Sequence, residues 1–525
     1  MGWVHWGETP VKGADDAVAG AIVDIDGMQF FRVRSYDRMR PFLMSVVSSS
    51  NHWMFVSSTG GLTCGRAHPD RALFPYCTDD KVHESASHTG PKTCLLVEKP
   101  GRNSLWIPFD DGLSVYEIER NLYKSVYGSR LVFEEVNRDL GLAFSFEWAV
   151  GERFGFIRTS RLVNLGSEGV NVRLLDGLRN LLPPGVSQEM QTRLSTLVDA
   201  YKQAEVHAPS GAGIYALSSL PTDLAQPREA LSASVACCVG LGRPPVLLSE
   251  NQLRSFCEGN GVRAEYHSRG QRGAYFVQSA IELPPAGSRS WRLVADVGLG
   301  PSSLARYLED LGRADIDSEI GGDIVRGELR LQQLAASADG LQYSGDRRVS
   351  GRHYANTLFN IMRGGTFVDG YNVPAQDFLG FVSRWNRPLR ERFGELLADR
   401  DALSRTELLR IADSTGDEDM KRLAREYLPL TFSRRHGDPS RPWNRFHIDI
   451  VDESGEQKLA YEGNWRDIFQ NWEALGFSYP EFLQSFICRF LNASTIDGYN
   501  PYRISQDGFD WEVLDPHDDW SNIGY

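Results

Sequence analysis

Residues 142–164 read LAFSFEWAVGERFGFIRTSRLVN, and this stretch decides the fold class of the first part of the chain. Phe144, Phe146 and Trp148 occupy alternate positions and therefore lie on one face of an extended strand, because successive side chains of a strand point to opposite faces. Phe156–Asn164 is a second run rich in apolar and β-branched residues. The alternation is typical of a strand with one buried face.

Similar short runs recur between turn signals from residue 18 to about residue 300, which predicts a β-rich domain. The other predicted strands are Ala21–Asp26, Met28–Arg34, Trp53–Ser57, Leu105–Phe109, Arg130–Val136, Val170–Leu175, Ser232–Val239, Tyr275–Ile281 and Trp291–Val297. So many strands in one domain predict a large antiparallel sandwich. Residues 178–206 and 249–258 are predicted to be helical insertions.

The pattern changes after Gly300, where helical periodicity replaces the β-branched runs. Helices are predicted at 302–313, 323–337, 350–363, 375–400, 404–414, 415–427, 464–475 and 480–492. Ser404 with Glu407, and Thr415 with Glu418, have the spacing of a capping box. The predicted order is a β domain (1–300), a helical connector (301–345) and an all-α domain (346–525).

Composition narrows the class of protein. Of the 525 residues, 41% are hydrophobic and 24% are charged, which suffices for a large core. The 56 Lys and Arg against 69 Asp and Glu leave a net charge of −13, which argues against nucleic acid or an anionic membrane as partner. The first residues lack a signal peptide, and the seven cysteines form no CxxC pair. These features favour a cytoplasmic protein with reduced thiols.

The segment Ser433–Asn444, SRRHGDPSRPWN, is the densest in groups that bind sugars or anions. Two prolines predict an ordered loop rather than a helix. Arg435 and Asn444 suit polyhydroxylated or anionic ligands, and the face of Trp443 suits the C–H face of a sugar ring. The alternative is a surface loop held by its own salt bridges.

The segment Tyr461–Glu473, YEGNWRDIFQNWE, places Trp465, Arg466, Asp467 and Gln470 at the start of a predicted helix. Side chains at a helix start can reach into a cavity at the adjoining loops. Alternatively, Arg466 and Asp467 form a structural pair, and Asp467 satisfies first-turn amides.

Two further segments carry weaker signals. The acidic stretch 492–519, which contains Asp497, does not fit the twelve-residue calcium loop and is interpreted as a solvated loop, so no metal site is predicted. The glycine-rich segment Ser58–Ser85 fits neither phosphate-loop pattern, so no nucleotide site is predicted.

Three motifs give the chain a resemblance to a known family. GNWRDIFQN (Gly463–Asn471) resembles a glycine–aromatic–Arg-Asp-x-x-Gln-Asp motif, IDGYNPY (Ile496–Tyr502) resembles a following Asp-Gly turn, and LTFSRR (Leu430–Arg435) resembles a Thr-Phe-x-x-Ser-Arg stretch. With the domain order, these motifs resemble the inverting glycoside phosphorylases of the cellobiose, chitobiose and cyclic β-glucan type (glycoside hydrolase family ninety-four) and related six-hairpin glycosidases. Here one extra residue precedes Arg466, and Asn471 replaces the final aspartate. A second match, GYNVPAQDFLG (Gly370–Gly380), keeps Gln376 and Asp377 but lacks the Arg-Asp pair.

The resemblance implies a β-supersandwich, a helical connector and an (α/α)6 barrel, with Arg466 and Asp467 binding the sugar whose bond is cleaved. In that family the general acid follows more than a hundred residues later. We therefore expect this acid beyond Tyr525, an incomplete barrel, and a chain that is the N-terminal fragment of a longer one.

The functional expectation is an enzyme that cleaves a glycosidic bond of an oligosaccharide or β-glucan with a single general acid. Cleavage is by phosphorolysis, with inorganic phosphate as co-substrate, or by hydrolysis, and no organic cofactor is expected. The sequence does not decide the oligomeric state, and a homodimer is compatible with it. The alternatives are a catalytically silent carbohydrate-binding or scaffold protein on the same fold and a polysaccharide lyase.

Overall fold

The structure is a computed structural model that describes residues 4–12, 17–99, 101–110, 112, 115–222, 225–226, 228–433, 439, 446–452 and 454–511. The chain divides into two compact units. The β unit contains most residues up to Glu328 together with 437–446, and the helical unit contains Leu329–His436, His447–Tyr525 and Ser49–Asn51. The fold is therefore of the mixed β and α class.

The β unit contains short helices between many strands. Its strands are β1 (His5–Trp6), β2 (Thr9–Pro10), β3 (Ala19–Ile25), β4 (Met28–Arg34), β5 (Leu43–Ser45), β6 (His52–Ser57), β7 (Leu62–Arg66), β8 (Ala72–Phe74), β9 (Gly90–Lys99), β10 (Arg102–Trp106), β11 (Ile118–Ser125), β12 (Leu131–Asn137), β13 (Leu142–Gly151), β14 (Gly155–Asn164), β15 (Val170–Leu181), β16 (Lys202–His207), β17 (Ala212–Leu217), β18 (Ala233–Val239), β19 (Val246–Leu247), β20 (His267–Arg269), β21 (Gly273–Leu283) and β22 (Ser288–Leu299). Its helices are α1 (Asp79–Glu84), α2 (Gln188–Arg193), α3 (Ser195–Tyr201), α4 (Leu253–Cys257) and α5 (Pro301–Leu311), and α6 (Ile316–Ala336) continues into the helical unit.

An eleven-stranded antiparallel sheet forms the largest layer, in the order β20-β16-β17-β18-β22-β14-β13-β12-β11-β4-β3. Its inner face shares one hydrophobic core with a five-stranded sheet, β10-β9-β15-β21-β19, and a four-stranded sheet, β5 to β8. Phe144, Phe146 and Trp148 all lie in this core, with 0–4% of their surface exposed. The predicted alternation of β13 is thus confirmed.

The outer face of the large sheet is covered by helices of the same unit. Ile157 of β14 and Val294 of β22 pack with Tyr307 of α5 and Ile320 of α6. Both faces of the central strands are therefore buried, which explains why β14 carries apolar residues beyond a simple alternation.

A buried ion pair links the two main sheets. Nη2 of Arg158 in β14 donates to Oδ1 of Asp176 in β15 at 2.9 Å, and both side chains are 0% exposed. The Trp291 indole and the Thr93 hydroxyl also donate to the Asp176 carboxylate. Such a pair is tolerated in a core because both carboxylate oxygens and both terminal guanidinium nitrogens are hydrogen-bonded, while Nε of Arg158 has no acceptor among the described residues.

The predicted helical insertion at 178–206 is wrong at both ends. β15 continues to Leu181, α2 and α3 occupy 188–201, and β16 begins at Lys202. These strands were not predicted because they contain polar and charged residues that suggest a solvated segment. In the structure, Arg179 and Asn180 are instead buried and hydrogen-bonded.

The helical unit contains the remaining elements. They are α7 (Arg347–Gly364), β23 (Thr366–Phe367), β24 (Asn372–Pro374), α8 (Ala375–Trp385), α9 (Arg387–Phe393), β25 (Ala402–Ser404), α10 (Arg405–Ser414), α11 (Glu418–Glu426), β26 (Leu430–Thr431), β27 (Glu462–Asn464), α12 (Trp465–Ser478), α13 (Leu483–Ala493), β28 (Arg503–Ser505) and β29 (Phe509–Asp510). Single 3-10 turns occur at Tyr36–Arg38, Ser85–Ser87, Gly394–Leu397 and Pro480–Phe482.

One of the two predicted helix caps is confirmed. Ser404 Oγ accepts from the Glu407 N–H at 3.2 Å and caps α10. The second is wrong, because Asp417 caps α11 by accepting from the amides of Asp419 and Met420. Thr415 instead donates to the Ala412 carbonyl of the preceding helix, as Ser and Thr hydroxyls often do at a helix end.

Residues 366–431 form a module with its own core. β23 pairs with β26, so the two ends of the segment lie side by side. Between them, the buried apolar residues from Val373 to Tyr427 form a single cluster. The helices α8 to α11 therefore pack chiefly on one another.

The long helices α7 and α12 pack closely outside this module. The Trp472 indole donates to the Gly364 carbonyl at 2.7 Å. A Cβ at Gly364 would lie 2.8 Å from Cβ of Asn471, so the glycine is required for this approach.

Candidate functional site

The residues predicted from the Arg-Asp motif lie where a small sheet leads into α12. β27 pairs with β28, and β28 pairs with β29, in a three-stranded antiparallel sheet. The Trp465 N–H, at the first position of α12, donates to the Tyr502 carbonyl at 2.9 Å. The sheet therefore holds the start of α12 against the segment that contains the Asp-Gly turn.

Arg466, Asp467 and Gln470 all lie at the surface of the first turns of α12. The Arg466 side chain is 83% exposed and that of Asp467 is 39% exposed, with Nε and Oδ1 3.5 Å apart. Gln470 is exposed as well. Asn464, at the N-cap position, makes no side-chain capping bond. These three side chains are thus accessible to a ligand.

An aromatic stack adjoins them. The rings of Trp465 and Phe490 are stacked at 4.6 Å, and Phe469 packs edge-on against both. Asp497 lies in an exposed turn between α13 and β28, which is closed by a hydrogen bond from the Thr495 N–H to the Tyr499 carbonyl.

The predicted loop residues Arg435, Trp443 and Asn444 lie outside the described residues. The described start of this loop adjoins β27, since the Glu462 N–H donates to Ser433 Oγ at 3.4 Å. Ser433 itself donates to the Arg363 carbonyl at 2.9 Å. The described start of the 433–444 loop therefore adjoins β27, which in turn pairs with β28.

Sequence reasoning missed Arg503 at this site. Its guanidinium donates to Oδ2 of Asp510 at 2.6 Å and to Oε1 of Glu462 at 2.5 Å. Partial burial opposes the charge of Arg503, but the hydrogen bonds to the two carboxylates raise its pKa above the ordinary value. The arrangement sets two carboxylates about one cation beside Trp465. Only the strand pairing brings these positions together, so spacing along the chain gives no signal.

The rival motif at Gln376–Asp377 is structural in this fold. Asp377 accepts from the Tyr427 hydroxyl at 2.5 Å and from Gln506 Nε2 at 3.1 Å. Burial raises the pKa of Asp377, and the bond from Tyr427 partly offsets this effect. Gln376 is exposed.

A buried ion pair lies behind β28. Arg489 Nη1 is 3.2 Å from Oε2 of Glu426, with 0% and 1% of the two side chains exposed. The guanidinium also lies over the rings of Trp385 and Phe509 at 4.6 and 4.8 Å and donates to the Ser505 carbonyl. This pair anchors β28, and hence the cluster around Arg503.

The β unit contains a separate cavity of about 480 Å³, lined in part by Thr59 and His83 of the glycine-rich segment. Its Lys92 and Asp110 pair with each other at 2.7 Å. Its Arg179 donates to the backbone carbonyls of Ser87 and Ala86. Lys92 and Asp110 thus satisfy each other and Arg179 is held by backbone carbonyls, which makes this cavity a weaker candidate than the start of α12.

Two further searches cover the described residues alone. Within them, no group of three or more His, Cys, Asp and Glu residues is placed to hold a metal ion. None of their helices combines the length and the apolar character needed to cross a bilayer.

A comparison with known protein families gives a match within the module at residues 366–431. Residues 367–429 match the family model described as glycoside hydrolase family 149 insertion domain 1. The matched segment coincides with the module that β23 and β26 close and that has its own core. It covers 63 of the 525 residues (429 − 367 + 1), so it characterises this segment rather than the whole chain. A search of curated proteins finds no match.

Several solved structures are similar at low identity. A bacterial glucoamylase complexed with acarbose is 8% identical, with a TM-score of 0.36, over 89% of this chain and 61% of its own. A polysaccharide lyase is 12% identical, with a TM-score of 0.30, over 52% of this chain and 34% of its own. A protein proposed to be a kojibiose phosphorylase, from the human microbiome, is 8% identical, with a TM-score of 0.28, over 77% and 45%. The chain thus spans less than two thirds of each, and scores this low carry no weight for function.

Proposed function

We propose that the chain is part of a carbohydrate-active enzyme that cleaves a glycosidic bond of an oligosaccharide or β-glucan. The observation that carries the proposal is the cluster at the start of α12. The Trp465 N–H donates to the Tyr502 carbonyl next to the Glu462–Arg503–Asp510 group, and the exposed Arg466–Asp467 pair follows in the same helical turn. The match of residues 367–429 to an insertion domain of a glycoside hydrolase family supports the same class.

The chemistry of this cluster suits a sugar. A carboxylate such as Asp467 can accept hydrogen bonds from neighbouring hydroxyls, and a guanidinium can donate to ring or hydroxyl oxygens. The Trp465 ring offers an apolar face beside these groups. Because Arg466 is 83% exposed, its guanidinium is also free to bind inorganic phosphate, the co-substrate of a phosphorolytic reaction.

In the proposed reaction a single carboxylic acid protonates the departing glycosidic oxygen. Phosphate, or a water activated by a base, attacks the anomeric carbon from the opposite face. In a hydrolytic version the base would lie about 6.5–9.5 Å from the acid. We assign the roles of sugar binding to Trp465, Arg466 and Asp467, and leave the general acid unassigned among the described residues.

The test uses the full chain and a panel of β-linked and α-linked gluco-oligosaccharides. Calorimetry measures binding, and product analysis with and without inorganic phosphate measures turnover. We expect Trp465→Ala to weaken binding about tenfold or more, equivalent to about 1.4 kcal/mol. The matched control is Trp6→Ala, which removes another exposed tryptophan, 65% exposed, from the β unit.

The outcomes separate the hypotheses. Turnover that requires phosphate supports a phosphorylase, and turnover in its absence supports a hydrolase. Sugar binding that Trp465→Ala weakens, with no turnover under either condition, supports the sugar-binding role of the cluster and fits both the silent alternative and a general acid outside the described residues. Equal loss of binding in Trp465→Ala and Trp6→Ala, or no sugar binding at all, overturns the proposal.

A further inference from the structure

A second cavity, of about 510 Å³, lies within the helical unit between α7 and α12. Residues 353–361 of α7 and 471–478 of α12 form two walls, and the loop after α6 forms a third. The volume is within the range of about 300–1,000 Å³ that is typical of small-ligand sites. Along the axis of α12, Asp467 lies about 15 Å from Phe477 and about 6 Å, or one turn, from Asn471. The cavity therefore begins one turn beyond Asp467 and extends away from the candidate site.

The lining of the cavity is polar and mainly uncharged. Four side-chain amides contribute to it: Gln342, Asn356, Asn360 and Asn471. An amide presents a donor and an acceptor side by side, as a pair of neighbouring sugar hydroxyls requires. Among the described residues, the lining includes neither lysine nor arginine, which disfavours a phosphate or a carboxylate as ligand.

One amide of the lining is left unsatisfied. Asn471 is 6% exposed, and its Nδ2 donates to Asn360 Oδ1 at 2.9 Å. Its Oδ1 accepts no hydrogen bond from the described residues. A buried acceptor without a donor is costly, about 1–3 kcal/mol. This oxygen is shielded from solvent, so a hydroxyl of a ligand in the cavity supplies the missing donor only when the Asn471 side chain turns toward it.

The rim of the cavity carries an exposed aromatic ring. Phe477, near the end of α12, is 85% exposed. This ring is therefore largely in water beside a polar cavity. It offers a flat apolar face on which one side of a sugar ring can lie.

The loop after α6 adds a further feature. Asp339, which lines the cavity, adopts a φ of 58°, in the left-handed region where glycine is the favoured residue. Its carbonyl accepts from His353 Nε2 at 2.7 Å, provided that this nitrogen carries the proton. The bond ties the loop to α7 and fixes the third wall.

We propose that this cavity binds a neutral glycosyl unit and is a second carbohydrate site, separate from the one at the start of α12. The inference goes beyond the proposed function, because it rests on the lining and not on any reaction. The amides bind the hydroxyls, and Phe477 packs against the apolar face of the ring.

The experiment measures where sugars bind. Hydrogen–deuterium exchange of the full chain is followed with cellopentaose, with glucose and with glycerol as a polyol control. We expect both sugars, or the pentasaccharide alone, to slow exchange in the peptides that cover 353–361 and 471–478. Protection by glucose as well identifies a site for one unit, and protection by cellopentaose alone identifies a site for a chain. Either result supports the proposal.

Two variants test the aromatic ring. Phe477→Ala should weaken binding at this cavity about tenfold, whereas Phe477→Tyr, which keeps the ring, should bind within about threefold of the parent. Asp467→Asn should leave the protection from exchange at 353–361 and 471–478 unchanged. The experiment therefore tests this site separately from the proposed function. No protection at the cavity, equal protection by glycerol, or unchanged affinity in Phe477→Ala overturns the proposal.

Discussion

Replacing Asp467 by asparagine is expected to weaken oligosaccharide binding at the start of α12 at least about tenfold, with little effect on stability. The ion pair with Arg466 spans 3.5 Å between side chains that are 83% and 39% exposed. Such exposed pairs contribute about 0–1 kcal/mol to the free energy of unfolding. An acid in the first turn adds about 0.3–1 kcal/mol through the helix dipole. The structural cost of the substitution is therefore about 1 kcal/mol.

The binding cost is larger if Asp467 accepts hydrogen bonds from a sugar. A hydrogen bond to a charged group contributes about 1.5–3 kcal/mol, which corresponds to a loss of affinity of about tenfold or more. Calorimetric titration with an oligosaccharide that binds the parent protein measures this loss of affinity. Scanning calorimetry on the same preparation should show a melting temperature lowered by less than about 4 °C.

The chain offers a matched control in Glu407. It too is the third residue of its helix, its side chain is 35% exposed, and it pairs with Arg400. Glu407→Gln should therefore lower stability by a similar amount and leave sugar binding unchanged. The reasoning is refuted if Asp467→Asn binds sugar normally while losing several kcal/mol of stability, because the aspartate would then have a structural role alone.

Three further predictions concern stability and reactivity. Arg489→Met should lower the free energy of unfolding by about 3 kcal/mol, because it removes the buried cation and leaves the Glu426 carboxylate with only the partly exposed Arg422 as its ion-pair partner; a change below about 1 kcal/mol by urea denaturation would contradict this. Ser404→Ala should cost about 1 kcal/mol through the lost cap of α10, and an unchanged melting temperature would show that the cap is dispensable. The hydrogen bond from the Cys94 thiol lowers the pKa of Cys257 to about 7, so alkylation of Cys257 by iodoacetamide should rise with a midpoint near pH 7; a midpoint near the ordinary value of 9.0 would be contrary to this account.

Sequence patterns predicted the elements whose burial follows a simple period. Leu142–Trp148 is found within a strand, since its alternating apolar residues face one core. Met28–Arg34 is also a strand, although Phe30 is its one fully buried residue. Other strands escaped prediction because both of their faces are covered or because polar residues are buried in them. β7 (Leu62–Arg66) contains a buried threonine and a glycine that packs against Trp53, so it lacks the expected alternation.

The candidate site could be predicted only in part. Trp465, Arg466 and Asp467 are adjacent in sequence, so their motif placed them together at a helix start. Arg503 lies beside them because β28 pairs with β27, some forty residues earlier in the chain. Such a long-range pairing cannot be predicted from local residue spacing. The module at 366–431 was predicted as a series of helices in the α domain. That it closes on itself through β23 and β26 depends on a pairing of two residues on each side.

Asn471 shows how a departure from a motif can itself carry information. In the sequence it is the position where an asparagine replaces the expected aspartate. In the structure it is buried between α7 and α12, with Cβ close to Gly364. A carboxylate here would face the Asn360 oxygen that the amide now satisfies, and its charge would be costly to bury. The amide instead leaves this position of the cavity wall uncharged and hydrogen-bonded to Asn360, so that α7 and α12 can pack closely here.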